Sequence, residues 1–319
     1  MTGSFARLLN HTPLTMEYSL LSGAALPTLS SPANSDSRSA QLKWQQPWLK
    51  PYAQPIGKAL QTAMAEQPSI AAALAKVSHQ YAEQFPQQNH SNGAARRHYP
   101  TFVPQAKLPK GESYEGFIRQ HWAVPTREHL HDLFNGLIWL HWPQAKQQLN
   151  AIQSAEIERL GVQGQRGKIR DACTLFDENG AILLAPSLLH EALLAKDWLR
   201  LFWTERHLWA HAQLLVFGHA LLEQLCQPRK PICAHVLTLR LPVGNPTGVD
   251  IEQLDASLAQ LLTAKNMAAK PLTPMPVLGI PGWCQANTER SFYEDTSVFR
   301  PPRHSPPSAN NNRSKPCEK

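Results

Sequence analysis

The residue types able to do chemistry recur beside the most apolar stretches of the chain. His131 and Asp132 are adjacent, with His129 and Asn135 close by, in a segment that also holds Leu130, Leu133, Phe134 and Leu137. On a helix, at about 100° per residue, His131 and Asn135 stand one turn apart and flank the apolar stripe, where a cleft can open. Imidazole and carboxylate side chains in such a place suit a divalent ion that activates water, the chemistry of metal-assisted hydrolysis of a phosphate or acyl bond. A plainer reading stands beside it, a boundary histidine bonded to a neighbouring carbonyl.

Three other groups invite the same double reading. Arg170 and Asp171 precede Asp177 and Glu178 across an apolar Leu175-Phe176 step, so the carboxylates can hold a metal or act as acid and base, or else form an ion pair and a turn before Asn179-Gly180. His219 and Glu223 lie one helical turn apart, and His235 falls among leucines, where an unpaired polar group costs about 1–3 kcal/mol and so demands a partner, with Glu223 a candidate. The glycine loop at 161–170, ending in Lys168 and Arg170, offers amides and charge to a phosphate but lacks the spacing of a P-loop. The expected site therefore comprises His131, Asp132, Asp171, Asp177, His219 and His235. Among them His131, Asp132, His219 and His235 are the metal ligands, and Asn135, Arg170 and Trp283 contact substrate. The implied cofactor is a divalent metal.

Other chemistries find no support. The chain has no Gly-x-Ser-x-Gly elbow, no dinucleotide-binding glycine pattern, no His-Glu-x-x-His and no kinase signature. Its five cysteines form no Cys-x-x-Cys pair, and an odd number without a secretory signal points to reduced thiols in the cytoplasm. Residues 207–226, the most apolar long window, carry three histidines and a glutamate, which excludes a membrane span. The net charge of +7 is concentrated at the ends: residues 111–300 hold 17 basic and 19 acidic side chains. A near-neutral body argues against a phosphate-neutralising groove. A nucleic-acid partner then rests on residues 43–110, where Trp44, Trp48 and Tyr52 interleave with Lys43, Lys50 and Lys58.

The elements that must position these groups follow from periodicity. Two Ala-rich helices over 56–84 are separated at Pro68, with Ser69 as a cap. Thr126 is the expected N-cap of a helix reaching His141, and Pro143 opens a second helix that ends near Gly161. Asp171 to Asp177 is ambiguous, residues 181–185 read as a strand, Ser187 and Asp197 as caps, His211 to Cys226 as a buried helix, Ile232 to Leu241 as a strand, and Asp250 as the cap of a last helix. The fold class is α+β, predominantly α-helical, with a small two- or three-stranded sheet. A mobile segment is expected over 1–43, one domain over 44–302 (helical part 44–110, body 111–270, Pro-rich strap 271–302) and a disordered tail over 303–319.

The stretches FVPQAKLPKGESYEGFI (102–118), TREHLHDLFNGLIWL (126–140), RGKIRDACTLFDENGAILL (166–184), FGHALLEQL (217–225), KPICAHVL (230–237), PVLGIPGW and SFYEDTSVFRP (276–301) resemble the bacterial family of unknown function DUF3025 over roughly 44–302. The resemblance implies a single-domain cytosolic bacterial protein and carries over no catalytic role. Two readings remain nearly level: an enzyme with a His/Asp site, or a non-catalytic binding or scaffold protein in which the same polar groups tie the body to the strap.

Overall fold

The structure, a computed structural model, describes residues 42–84, 99–160, 167–240 and 250–302. Residues 1–41 of the expected mobile N-terminal segment, the 85–97 loop, most of the glycine loop and the C-terminal tail fall outside them; the end of that first segment is described, and Leu42 is buried in the core rather than mobile. Pro68 interrupts the Ala-rich run as anticipated, giving α1 (Lys58–Glu66) and α2 (Ile70–Gln84), and the Ser69 hydroxyl accepts the Ala72 amide at 3.1 Å. Two short strands that periodicity does not reveal follow. β1 (Thr101–Pro104) and β2 (Ala123–Thr126) pair in parallel, with α3 (Tyr114–His121) between them in sequence. Four residues are too few for an alternation to register.

Thr126 is not the N-cap expected of it. It ends β2, its hydroxyl donates to the Val124 carbonyl, and α4 begins later, as Leu130–His141. Helix α5 (Pro143–Leu160) starts at its proline. The fully buried Asp255 carboxylate accepts the Gln144 and Ala145 amides there at 3.0 and 2.8 Å. The ambiguous stretch is wholly helical: α6 (Lys168–Asn179) runs directly into β3 (Gly180–Ala185). After α7 (Ser187–Ala195), whose N-cap is Pro186 with no capping hydroxyl, Asp197 accepts the Arg200 amide of a short helical turn.

The segment 211–226 departs from the single buried helix predicted for it. β4 (Gln213–Val216) pairs antiparallel with β3, the chain turns at Phe217-Gly218, and only α8 (His219–Gln224) is helical. Leu214, Leu215 and Val216 satisfy a buried strand as well as a buried helix, which is why hydrophobicity alone misleads there. β5 (Cys233–Arg240) pairs parallel with β3; then come α9 (Ile251–Leu261), capped by Asp250, α10 (Ala264–Ala268) and β6 (Thr273–Pro276). The order β4-β3-β5-β6 makes a mixed four-stranded sheet. It exceeds the expected two or three strands because one comes from the misread helix and one from the strap. The whole is a helix-dominated α+β fold.

One continuous apolar cluster runs from Leu42 to Phe299, centred on Phe134, Trp139, Trp142, Phe176, Phe202 and Phe217. Trp48 and Tyr52 belong to it, and the Tyr52 hydroxyl donates to the Val216 carbonyl at 2.7 Å. Two of the three aromatic residues proposed to stack on bases are thus committed to the interior and are not open to stack on a base. The strap is fastened by Arg206, which donates to the Asn287 carbonyl and the Tyr293 hydroxyl. Among the described residues no helix is long and apolar enough to cross a membrane.

Candidate metal centre

A cavity of about 310 Å³ opens among α3, α4, α5, α6 and α8. His131 enters it from the first turn of α4, Glu178 from the last turn of α6 and His219 from the first residue of α8. Gly218 allows this convergence. A Cβ there would lie 2.4 Å from the Glu178 carbonyl and 2.6 Å from Asn179 backbone atoms, so only glycine lets α8 start against the end of α6. The Gly218 amide seals the approach by donating to the Gly180 carbonyl at 2.7 Å.

Three ligand atoms face one another. His131 Nε2 and His219 Nε2 are 3.1 Å apart, and Glu178 Oε2 lies 3.9 Å from the first and 3.4 Å from the second. The triangle so defined has a point about 2.0 Å from each corner, the length of a zinc bond to imidazole nitrogen or carboxylate oxygen. Two imidazole lone pairs and a carboxylate this close repel unless a proton or a cation lies between them.

The surroundings favour that arrangement. His131 Nδ1 is 2.9 Å from Glu223 Oε2, the outer carboxylate that commonly orients a metal-binding imidazole and raises its basicity. That contact, opposed by burial and helped by Glu178, raises the His131 pKa. Burial pushes His219 down to about 3, despite Asp177, so its ring is neutral and its Nε2 can serve as a ligand. His131 and Glu178 keep partial access to solvent, whereas His219 is buried.

Beside the triad runs a second chain of polar contacts. Lys146, only 4% exposed at its side chain, donates to Asp177 Oδ1 at 2.5 Å and to Asn135 Oδ1 at 2.9 Å. Asn135 in turn donates from Nδ2 to the Tyr114 hydroxyl at 2.9 Å. Burial would raise Asp177, but Lys146 and then His219 hold it below the ordinary carboxylate value. Burial, reinforced by Asp132 and Asp177, keeps Tyr114 protonated. At the rim Arg127 clasps Asp132 with its Nε and Nη2 atoms, and the Arg127 amide donates to Oδ2 at 2.6 Å.

Comparison with family models finds a match to DUF3025, described as a protein of unknown function, over residues 100–303. The chain belongs to this family. Comparisons with curated proteins and with solved structures find no match. The matched DUF3025 region starts at 100 rather than 44, yet it holds every residue that lines the cavity.

Within this DUF3025 chain the structure brings together some of the predicted site residues and separates others. His131, Asp132, Asn135, Asp177 and His219 line the cavity, but Asp132 is committed to Arg127 and faces away from ligand duty. Asp171 is exposed on α6: six residues from Asp177 is about 600° of helix, which turns it to another face. His235 lies on the half-exposed face of β5, opposite Gly180 and Pro274, away from the cavity; the buried face of that strand is Ala234 and Val236. Arg170 is buried outside the cavity, and Trp283 packs on Trp48 with ring centres 5.6 Å apart, so neither reaches a substrate there. Glu223, weighed as a partner for His219 or His235, bonds His131 instead. Glu178 was visible only as a turn residue or a generic carboxylate. Lys146, Tyr114 and Arg127 were missed. Lys146 had a usable signal, since it falls in the stripe of Trp142, Ala145, Leu149 and Ile152, where a lysine needs a buried partner.

Proposed function

We propose that this protein is a cytoplasmic hydrolase that holds a divalent ion through His131, His219 and Glu178 and uses it to activate water against a small phosphate or acyl compound. The observation that carries this reading is the convergence of the three ligand atoms from three helices, with Glu223 behind His131. A two-histidine, one-carboxylate set leaves coordination positions open, which a catalytic ion requires and a structural one does not. An ion in that place lowers the pKa of water toward neutrality. The partial exposure of His131 and Glu178 supplies an entry path, and a cavity of about 310 Å³ suits a small molecule better than a polymer.

Metal analysis and Co²⁺ titration of the purified full chain test this. One ion per chain is expected, with His131→Ala, His219→Ala and Glu178→Ala each weakening it about 100-fold or more. Glu223→Gln should weaken it about 10- to 100-fold, as removing an outer-shell carboxylate does. Protein that takes up no ion, or variants that bind as the parent does, would overturn the reading. Loss of melting temperature without any metal effect would instead support the scaffold alternative.

A further inference from the structure

Resting on that metal reading, we propose that the substrate is an uncharged acyl compound, an amide or ester, rather than a phosphate, and that Tyr114 and Lys146 form a two-donor clamp for its carbonyl oxygen. Asn135 is the positioning residue of this clamp.

The first argument is charge. The cavity is lined by two cationic side chains, Arg127 and Lys146, and four carboxylates, Glu115, Asp132, Asp177 and Glu178. A divalent ion brings that set to neutrality. Both cations are already engaged, Arg127 in a forked pair with Asp132 and Lys146 with Asp177. A phosphate monoester would add up to two negative charges where both cationic charges are already balanced by Asp132 and Asp177, and a buried site tolerates uncompensated charge poorly. A neutral carbonyl meets no such obstacle.

The second argument is the direction of donors. Lys146 spends two N–H groups on Asn135 and Asp177, and among the described residues its third has only the Trp139 ring, 5.3 Å away. The Tyr114 hydroxyl accepts from Asn135, and its own hydrogen has no acceptor among the described residues. One amide side chain therefore holds both: its oxygen fixes the ammonium and its nitrogen fixes the phenol. Two preorganised donors beside a water-activating centre are what a developing oxyanion needs. In the reaction the water oxygen bonds to the carbonyl carbon and the C=O π pair moves to the clamped oxygen. Its return breaks the bond to nitrogen or oxygen, and the water's proton ends on that leaving atom. Acid and amine, or acid and alcohol, result.

The test uses the Co²⁺-loaded full chain and its visible absorption, with acetohydroxamate as a metal-binding acyl probe and inorganic phosphate as its rival. Acetohydroxamate is expected to change the spectrum and to bind at least tenfold more tightly than phosphate. Tyr114→Phe should weaken acetohydroxamate about tenfold while leaving Co²⁺ affinity unchanged, which a merely structural tyrosine would not do. Asn135→Ser, which unties both donors, should do the same and serves as an independent check on folding artefacts. Equal acetohydroxamate binding by parent and variants, or tighter binding of phosphate, would overturn the clamp while the metal site stands. Failure of the parent chain to take up Co²⁺ in the probe-free titration would remove both readings.

Discussion

Lys146 and Asp177 show how much one buried pair can decide. Each charge is removed from bulk water, and each is held by the other at 2.5 Å. Removing one partner leaves the other uncompensated, so Lys146→Met should cost about 3–5 kcal/mol in urea unfolding. The double variant Lys146→Met/Asp177→Leu should recover most of that loss, because an apolar pair needs no compensation. Failure of the second change to restore stability would mean that Asp177 has acquired another cationic partner. Single residues were legible unevenly. His131 and His219 could be singled out because histidine beside a leucine-rich helix demands explanation. Glu178 could not be told from a turn former, since it stands one residue before Asn179-Gly180 and nothing in the chain says that a glycine forty residues later will bring α8 against it.

That glycine belongs to the scale of elements. Gly218→Ala places a methyl group against the backbone of Glu178 and Asn179, neither of which can step aside as a flexible side chain would. Helix α8 must withdraw from the end of α6, parting His219 from Glu178. Co²⁺ affinity is expected to fall about tenfold or more in titration, with about 1–3 kcal/mol of stability lost from overpacking. Helices α1, α2, α4 and α5 were readable because each has a breaker, a cap or a long stripe of its own. The strands β1, β2 and β4 were not, because four residues carry too little pattern and their identity comes from the strand they meet. On β5, His235 has its pKa lowered by burial. The unfolded chain therefore binds the proton more readily, so stability is full above the unfolded value near 6.5 and declines as pH falls through it. His235→Gln should flatten the fall of melting temperature between pH 7 and 5, as followed by circular dichroism at a series of pH values.

For the whole molecule, the family match and the folded core do not coincide. The match begins at residue 100, yet Trp48 touches Trp283, Tyr52 bonds Val216, and the Ile70 amide donates to Glu128 at 3.0 Å. A chain beginning at residue 99 keeps every cavity-lining residue but loses this apolar layer. It is expected to show no cooperative heat-absorption peak in calorimetry, whereas the described chain should show one. One domain over 44–302 was expected from the sequence, but which residues of its N-terminal part meet the body was not readable, since these contacts span 58 residues or more and no local pattern encodes them.

The last strand governs what neighbouring chains encounter. β5 is eight residues long and rich in branched and apolar side chains, and β6 lies along its outer side, with Cys233 opposite Pro276 and Val236 opposite Thr273. Pro274 and Pro276 have no amide hydrogen, so the sheet ends in a rim that cannot donate at those positions to an incoming strand. During synthesis the ribosome must deliver residue 276 before that rim exists. A polypeptide interrupted near 270 would present β5 as an open template and recruit its own kind into aggregates. Pro274 and Pro276 thus act as a terminator for strand growth at this edge of the sheet.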